Sequence, residues 1–395
     1  FADSLYRKHR ESLYQIRVIE NTSGEKATIG SAFCVSTNGL LASNYHVVSL
    51  VMRYPNRYRI ECIGADGVSF PLQIADVDVV HDLAVLRSDR ILPGYLTLNL
   101  LPLNKGETIF SLGNPLDLGM VIVDGTYNGL LEKSFYDKIL FSGSLNGGMS
   151  GGPAIDVNGQ VIGINVATRG EQISFLVPVN YLKELLLDIE DSGSDTSLSL
   201  NERVEQQLVE NQNRYLERFM NAEWTLERFG KAMIPRIQDP AIHYWGDTTL
   251  DEEALFGYTY ITSYSKDWIY LSPDLSVGKV LLNCEWYDRE KLNVIRFYNL
   301  LEKEFSKTEA VNDAEKDDVT NFESHVDFVT IAGKDWRVAF SARNYKKYPR
   351  LYDVHVKMVT VSDADSALMM ELSLAGVTKE NGVAVLRKVM ESVQW

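Results

Sequence analysis

The sequence has no CxxC pair, no window of 18 uninterrupted apolar residues and no excess of basic charge, and each absence removes a class of protein. Its three cysteines, Cys34, Cys62 and Cys284, stand far apart. That spacing excludes a dense disulfide scaffold and a cysteine metal knuckle. They read as buried small apolar side chains, with one Cys34–Cys62 bridge left open in an oxidising compartment. Without a long apolar run there is no spanning helix, and the opening "FADSLYRKHR" lacks the apolar core of a signal peptide. Because the first residue is Phe1 rather than Met, a processed or trimmed chain is expected, any export signal being already gone. The 54 acidic against 39 basic residues give a formal charge of −15, which repels phosphate backbones and anionic lipid heads. Nucleic acid and membranes are therefore not expected partners, and no motif asks for a cofactor or metal. Tryptophan is missing before Leu200, and all six lie beyond it.

What is present is ample apolar content, 45% of 395 residues, enough for two or three domains with cores of their own. From about Tyr14 to Val179 short strand-like runs alternate with turns. Asn38-Gly39, Asp66-Gly67 and Asn158-Gly159 punctuate them as hairpin signals. This is the pattern of all-β meanders closed into barrels or sandwiches. A helix, "NYLKELLLDIE", ends the unit, and the polar linker "DSGSDTSLS" follows. Ser199 and Glu202 then form a capping box opening a helix whose apolar stripe runs through Leu208, Tyr215, Phe219, Leu226 and Phe229 to Met233, with Pro235 as its stop. Beyond it, "GKVLLNCEWY", "HVDFVTIAG", "DWRVAFSARN" and "YDVHVKMVTV" read as strands, and "EKLNVIRFYNLLEKEF" and "NGVAVLRKVMESV" as helices, an α+β domain. The tryptophans there serve as core or as a protein-binding face.

The segment "GGMSGGP", Gly147 to Pro153, sets a serine among four glycines. Glycines permit a tight loop that presents main-chain N–H groups, although a plain hairpin turn has the same composition. A nucleophilic Ser150 needs a base and a carboxylate that orients the base. His46 ends an apolar strand in "LLASNYHVVS", and Asp82, after His81, leads another in "VVHDLAVLR". The order His46, Asp82, Ser150 is that of chymotrypsin. In α/β-hydrolases, which share the G-x-S-x-G string, acid and histidine follow the serine.

Together "GSAFCVSTNGLLASNYHVVS", "HDLAVLR", "SLGNPLDLG", "GGMSGGPAIDVNGQVIGINVAT" and "ISFLVPVNYLKELL" resemble the chymotrypsin-fold, trypsin-like peptidases, most nearly the HtrA/Deg type, over about half the chain, residues 12–190. The resemblance implies an all-β double barrel with a site in the cleft between barrels, followed by a long helix and the α+β domain. It implies a serine endopeptidase acting on proteins or peptides. His46 would be general base and then acid, Asp82 its orienter, and Ser150 the acyl-forming nucleophile. The N–H groups of Gly148 and Ser150 would form the oxyanion hole. Ser144 and Leu145 would lie at the base and wall of the acyl-side pocket. Export to a periplasmic or secreted location follows from the same likeness.

The chain departs from that family in places. The residue before the histidine, usually small, is Tyr45, and Met149 replaces the acidic or amide residue usual before the serine. With no aspartate there, no trypsinogen-type switch is implied. No PDZ-like module follows the linker. The expected division is therefore residues 1–190 as peptidase, 191–240 as linker and amphipathic helix, and 241–395 as an α+β module for substrate or partner binding. A chain ending near Asp191 is expected to keep its cleavage of short peptides. The alternative is a catalytically weak pseudo-protease whose barrels serve as a binding scaffold.

Overall fold

Turn-forming pairs and alternating apolar residues set the first half of the fold. The structure, a computed structural model, describes residues 1–168, 173–192, 198–248, 254–307 and 314–395. Strands β1 (Leu13–Glu20), β2 (Lys26–Cys34), β3 (Leu40–Ser43), β4 (Tyr58–Ile63), β5 (Ser69–Asp78) and β6 (Leu83–Arg87) close a barrel in the order β1-β2-β3-β6-β5-β4. Strands β7 (Thr108–Gly113), β8 (Val121–Leu130), β9 (Ile139–Ser142), β10 (Pro153–Ile155), β11 (Val161–Thr168) and β12 (Ser174–Pro178) close a second in the order β7-β8-β9-β12-β11-β10. One six-strand topology is thus used twice. Asn38-Gly39, Asp66-Gly67 and Asn158-Gly159 lie in the β2–β3, β4–β5 and β10–β11 turns, as their type predicts.

One apolar cluster runs through both barrels, joining Phe33, Leu83 and Val85 to Phe110, Leu112 and Ile164. Fully burying each such side chain is worth about 1.5–3 kcal/mol. The second barrel has a core of its own around Ile109, Phe141, Leu145 and Met149. Around the barrels lie α1 (Ala2–His9), α2 (Tyr45–Arg53) and α3 (Val179–Ser192), the last burying Leu182 and Leu185 in the shared cluster. All three thiols are free and buried, so the Cys34–Cys62 bridge is not made. Cys34 Sγ instead donates to the Ser36 carbonyl at 2.9 Å, and burial pushes its pKa up to about 11.

The linker lies in part, at 193–197, outside the described residues. Helix α4 (Leu200–Asn221) opens on the expected capping box: Ser199 N donates to Glu202 Oε2 at 2.7 Å and Glu202 N to Ser199 Oγ at 3.4 Å. It stops short of Met233. Leu226, Phe229 and Met233 sit instead in a hairpin of β13 (Glu223–Phe229) and β14 (Ala232–Gln238) that turns at Gly230-Lys231. Among the described residues the edge of β14 away from β13 is met only at single points, Met233 by the Gln394 main chain and Ile237 N–H by Tyr244 Oη, so Pro235 between them, paired opposite Leu226, leaves no ladder bond unmade.

The rest comprises β15 (Ile242–Thr248), β16 (Gly257–Ser265), β17 (Ile269–Ser272), β18 (Leu275–Val277), β19 (Val280–Asp288), α5 (Val294–Phe305), β20 (Glu323–Ile331), β21 (Lys334–Asn344), β22 (Tyr352–Thr360), β23 (Ser366–Val377) and α6 (Lys379–Glu391). Seven of these strands form an antiparallel sheet in the order β15-β16-β19-β23-β22-β21-β20. Helix α5 buries Phe297, Leu301 and Phe305 against Tyr287, Val359 and Met369. The tryptophans divide between two roles: Trp286 and Trp336 are core, whereas Trp245 and Trp268 are 68% and 54% exposed.

The chain forms two compact units, Phe1–Val204 with Ile269–Ser272, and Glu205–Trp268 with Pro273–Trp395. The boundary falls inside α4, and the whole of β17, four residues from the second half, belongs to the first unit. Among the described residues no helix is long and apolar enough to cross a membrane.

Candidate active site

His46 lies in the first turn of α2, directly after β3, where an apolar strand gives way to a helix N-terminus. Asp82 immediately precedes β6, which pairs with β3. The register brings the two together. Asp82 Oδ2 lies 2.6 Å from His46 Nδ1, and Asp82 Oδ1 accepts from His46 N at 2.8 Å. The Asp82 carbonyl accepts from Asn44 Nδ2 at 2.8 Å and from Tyr45 N at 3.2 Å. Asp82 does this with φ of 58°, the left-handed region that Asp visits more readily than most residues. Burial disfavours the charged imidazole, but the Asp82 charge and its hydrogen bond outweigh that, so the His46 pKa is raised above its ordinary value. His81 faces elsewhere, its Nδ1 lying 2.6 Å from Asp78 Oδ2 and its ring stacked on Tyr181.

Ser150 lies in the loop before β10, held at several points. Ser31 of β2 donates N–H to the Ser150 carbonyl at 2.7 Å and Oγ–H to the Gly148 carbonyl at 2.7 Å. Asn165 of β11 donates Nδ2–H to the Met149 carbonyl at 3.2 Å, and its own carbonyl accepts from Gly151 N at 2.9 Å. At Gly151, with φ of 85°, a Cβ would overlap Ser31 O and Ser43 Oγ and lie 3.0 Å from Asn44 N. The serine loop therefore abuts the turn that carries His46. Only glycine permits that approach. Ser150 Oγ donates to the Val166 carbonyl at 3.0 Å, and no hydrogen bond joins it to His46. A change of χ1 between staggered wells would release it.

The orientation of the loop's N–H groups follows from its turn geometry. The Gly147 carbonyl accepts from Leu116 N at 2.8 Å. In a trans peptide C=O and N–H point in opposite directions, so this bond turns the Gly148 N–H away from the Asn114–Gly119 loop. Gly148 has φ of 94°, and a Cβ there would overlap the Asn114 carbonyl oxygen. Among the described residues neither Gly148 N nor Ser150 N donates a hydrogen bond. Gly148 is buried, and buried main-chain N–H groups without partners are rare. The Leu116–Asp117 turn is itself left-handed, with φ of 52° and 63°, and is fixed by Asp117 to Gln15 and Lys26.

Ser144 is exposed, whereas Leu145 is buried in the second barrel's core beside Phe141 and Met149, its N–H donating to Ser174 Oγ at 3.3 Å. Sequence reasoning passed over Ser31, Asn114, Leu116 and Asn165. A signal existed for two of them, since Ser31 and Asn165 are fully buried polar residues inside the apolar strings "GSAFC" and "GINVA", and such groups are kept where they hold something. Nor did it bring Tyr270 of β17 near His46. The two rings meet edge to face at 81°, centroids 6.2 Å apart, and Tyr45 Oη donates to the Leu271 carbonyl at 3.1 Å.

Residues 30–164 match the trypsin-like peptidase domain family. With that match, two closed barrels and relatives of HtrA type, the N-terminal segment is a trypsin-like peptidase domain similar to those of the HtrA proteins. Serine protease HTRA1A of Danio rerio is 32% identical over 174 residues, 41% of this chain and 35% of its own length. Serine protease HTRA2, mitochondrial, of Drosophila grimshawi is 31% identical over 174 residues, 40% of this chain and 39% of its own. The crystal structure of Deg5 is 26% identical, covers 47% of this chain and 92% of its own, and has a TM-score of 0.41. The chain thus spans little more than a third of the length of these curated relatives.

Proposed function

We propose that the first unit is a serine endopeptidase acting through an acyl-enzyme. The observation that carries this is the pair of N–H groups, Gly148 and Ser150, that donate to nothing among the described residues and flank the Ser150 hydroxyl on a loop pinned against the strand-to-helix turn that carries His46, whose imidazole Asp82 holds from the turn before β6. Ser150 Oγ, rotated off Val166, attacks the scissile carbonyl as its proton passes to His46 Nε2. Asp82 holds the other nitrogen protonated and stabilises the imidazolium. The oxyanion is met by the two N–H groups, each typically worth about 2.7–4 kcal/mol in the transition state. Collapse breaks the C–N bond, His46 returns the proton to the leaving amine, and water, activated by the same histidine, releases the acyl group. The substrates are proteins or peptides, with small or medium aliphatic residues on the acyl side. The second unit, with exposed Trp245 and Trp268, docks a protein substrate or partner.

The bond from Ser150 Oγ to Val166 favours a second reading, a folded scaffold with a silent serine. A fluorophosphonate probe on the full chain separates the two. Labelling that disappears in Ser150→Ala and in His46→Ala supports the peptidase, and an unlabelled, folded wild-type chain supports the scaffold.

A further inference from the structure

We propose that Tyr270 is a positioning residue for His46, and that β17, carried in from the second half of the chain, is a working part of the peptidase site. The proposal rests on the peptidase reading above. In a strand successive side chains point to opposite faces, so Tyr270 projects away from Ile269 and Leu271. Ile269 and Leu271 are buried, and the Tyr270 ring forms a T-shaped pair with the imidazole. Asp82 fixes one nitrogen of His46, and an aromatic ring set nearly perpendicular to the imidazole limits its remaining freedom to tilt and reduces its contact with water.

Tyr45 supplies the anchor. It is 2% exposed, and a buried tyrosine hydroxyl is expected to find a polar partner. Its bond to the Leu271 carbonyl ties the residue before His46 to the residue after Tyr270. The buried tyrosine at 45 and the four residues of β17 are thus parts of one arrangement. The helix that bears His46 packs on β17 as well as on β1, β2, β4 and β6. Among the charged groups of the described residues, Asp82 is the one that acts on His46.

The test uses the full chain with Tyr270→Ala, Tyr270→Leu and Tyr270→Phe, and two readouts. The first is the rate of labelling by a fluorophosphonate across pH. The second is the NMR titration of the His46 imidazole in a Ser150→Ala background, which needs no activity. Removal of the ring by Ala or Leu is expected to slow labelling by roughly 10-fold to 100-fold, the upper figure being what a misplacement of about 1 Å costs. It should also raise the His46 midpoint, because the imidazole gains water and burial no longer opposes its charge. Phe keeps the ring and is expected to restore most of both. A Leu variant that folds guards against an Ala variant that does not. Wild-type labelling and an unmoved midpoint in either ring-free variant would overturn the proposal, as would a Phe variant as impaired as Ala. A wild-type chain that is not labelled, while the titration still responds to Tyr270, overturns the peptidase reading and leaves the role of Tyr270 in positioning His46 standing.

Discussion

Asp82 grips His46 at two points, one carboxylate oxygen on the imidazole Nδ1 and the other on the main-chain N–H, and it does so from a left-handed backbone with φ of 58°. Strain of that kind costs about 1–3 kcal/mol and persists where the surroundings over-determine it. Here four hydrogen bonds between Asp82 and Asn44–His46 do so. The grip fixes the tautomer: with Nδ1–H held by the carboxylate, Nε2 is the free base.

Asp82→Asn should therefore lower kcat by about 10⁴-fold with the fold intact, since an amide can hold the imidazole in the wrong tautomer. Steady-state kinetics with a circular dichroism control checks this. Loss of activity no larger than about tenfold would mean that Asp82 is not the orienter.

Rate should rise with pH as His46 loses its proton. Because its pKa is raised, the midpoint should lie above about 6.5, the ordinary histidine value. Removing the Asp82 charge takes away the raising influence and leaves burial, so in Asp82→Asn the midpoint should move down. A profile of kcat/KM against pH, under chemistry-limited conditions, reads both shifts.

Ser150→Ala and His46→Ala should each reduce turnover by about 10⁶-fold, and the double variant should be little worse, because groups that act as one unit are not additive. Multiplying losses in the double variant would show that the two work independently.

Ser31→Ala tests the loop's anchor. It removes the bond to the Gly148 carbonyl and the acceptor for Asn114 N, which lies 2.9 Å from Ser31 Oγ. Leaving such buried groups unpaired costs about 1–3 kcal/mol each. Slower probe labelling is expected together with a fall in melting temperature of several degrees, at about 2–4 °C per kcal/mol for a unit of this size. A fall in melting temperature without slower labelling would make Ser31 a purely structural residue.

The barrels were legible because their signals are local: turn pairs, alternation, and motif segments whose order is itself informative. His46, Asp82 and Ser150 could be proposed as a set because each flanks a strand in a recognisable neighbourhood, and the pairing of β3 with β6 brings the first two together. The end of α4 was misread because Leu226, Phe229 and Met233 keep a helical spacing, while the hairpin they enter is stabilised by burial of Phe229 and Ala232, which spacing does not encode. Strand β23 went unread because "SALMMELSLAGV" is buried along most of its length and shows neither period clearly. Tyr270 was invisible for another reason, since a contact between positions 46 and 270 depends on where the chain returns.

The proposed acyl-side preference rests on the absence of charge at Ser144, which is exposed, and Leu145, which is buried in the second barrel's core. A lysine or arginine entering an acyl-side pocket without a carboxylate would have its charge desolvated at a cost of several kcal/mol. A peptide library should therefore be cleaved after small or medium aliphatic residues. A profile dominated by basic residues would reassign the pocket.

The last prediction concerns residues 1–204 expressed alone. Sequence composition favours a peptidase that works without the second half, but Ile269–Ser272 belongs to the first unit, and its removal leaves Tyr45 without the Leu271 carbonyl and His46 without the Tyr270 ring. The barrels retain their shared core through α3, so circular dichroism should still report a folded β protein. Its reaction with a fluorophosphonate should be slower than that of the full chain, by a factor close to that of full-length Tyr270→Ala. Similar factors would place the contribution of the second half to chemistry largely in β17. A fragment that reacts as fast as the full chain would show that β17 is dispensable to His46. A fragment slower by much more would mean that other residues beyond Val204 also support the site.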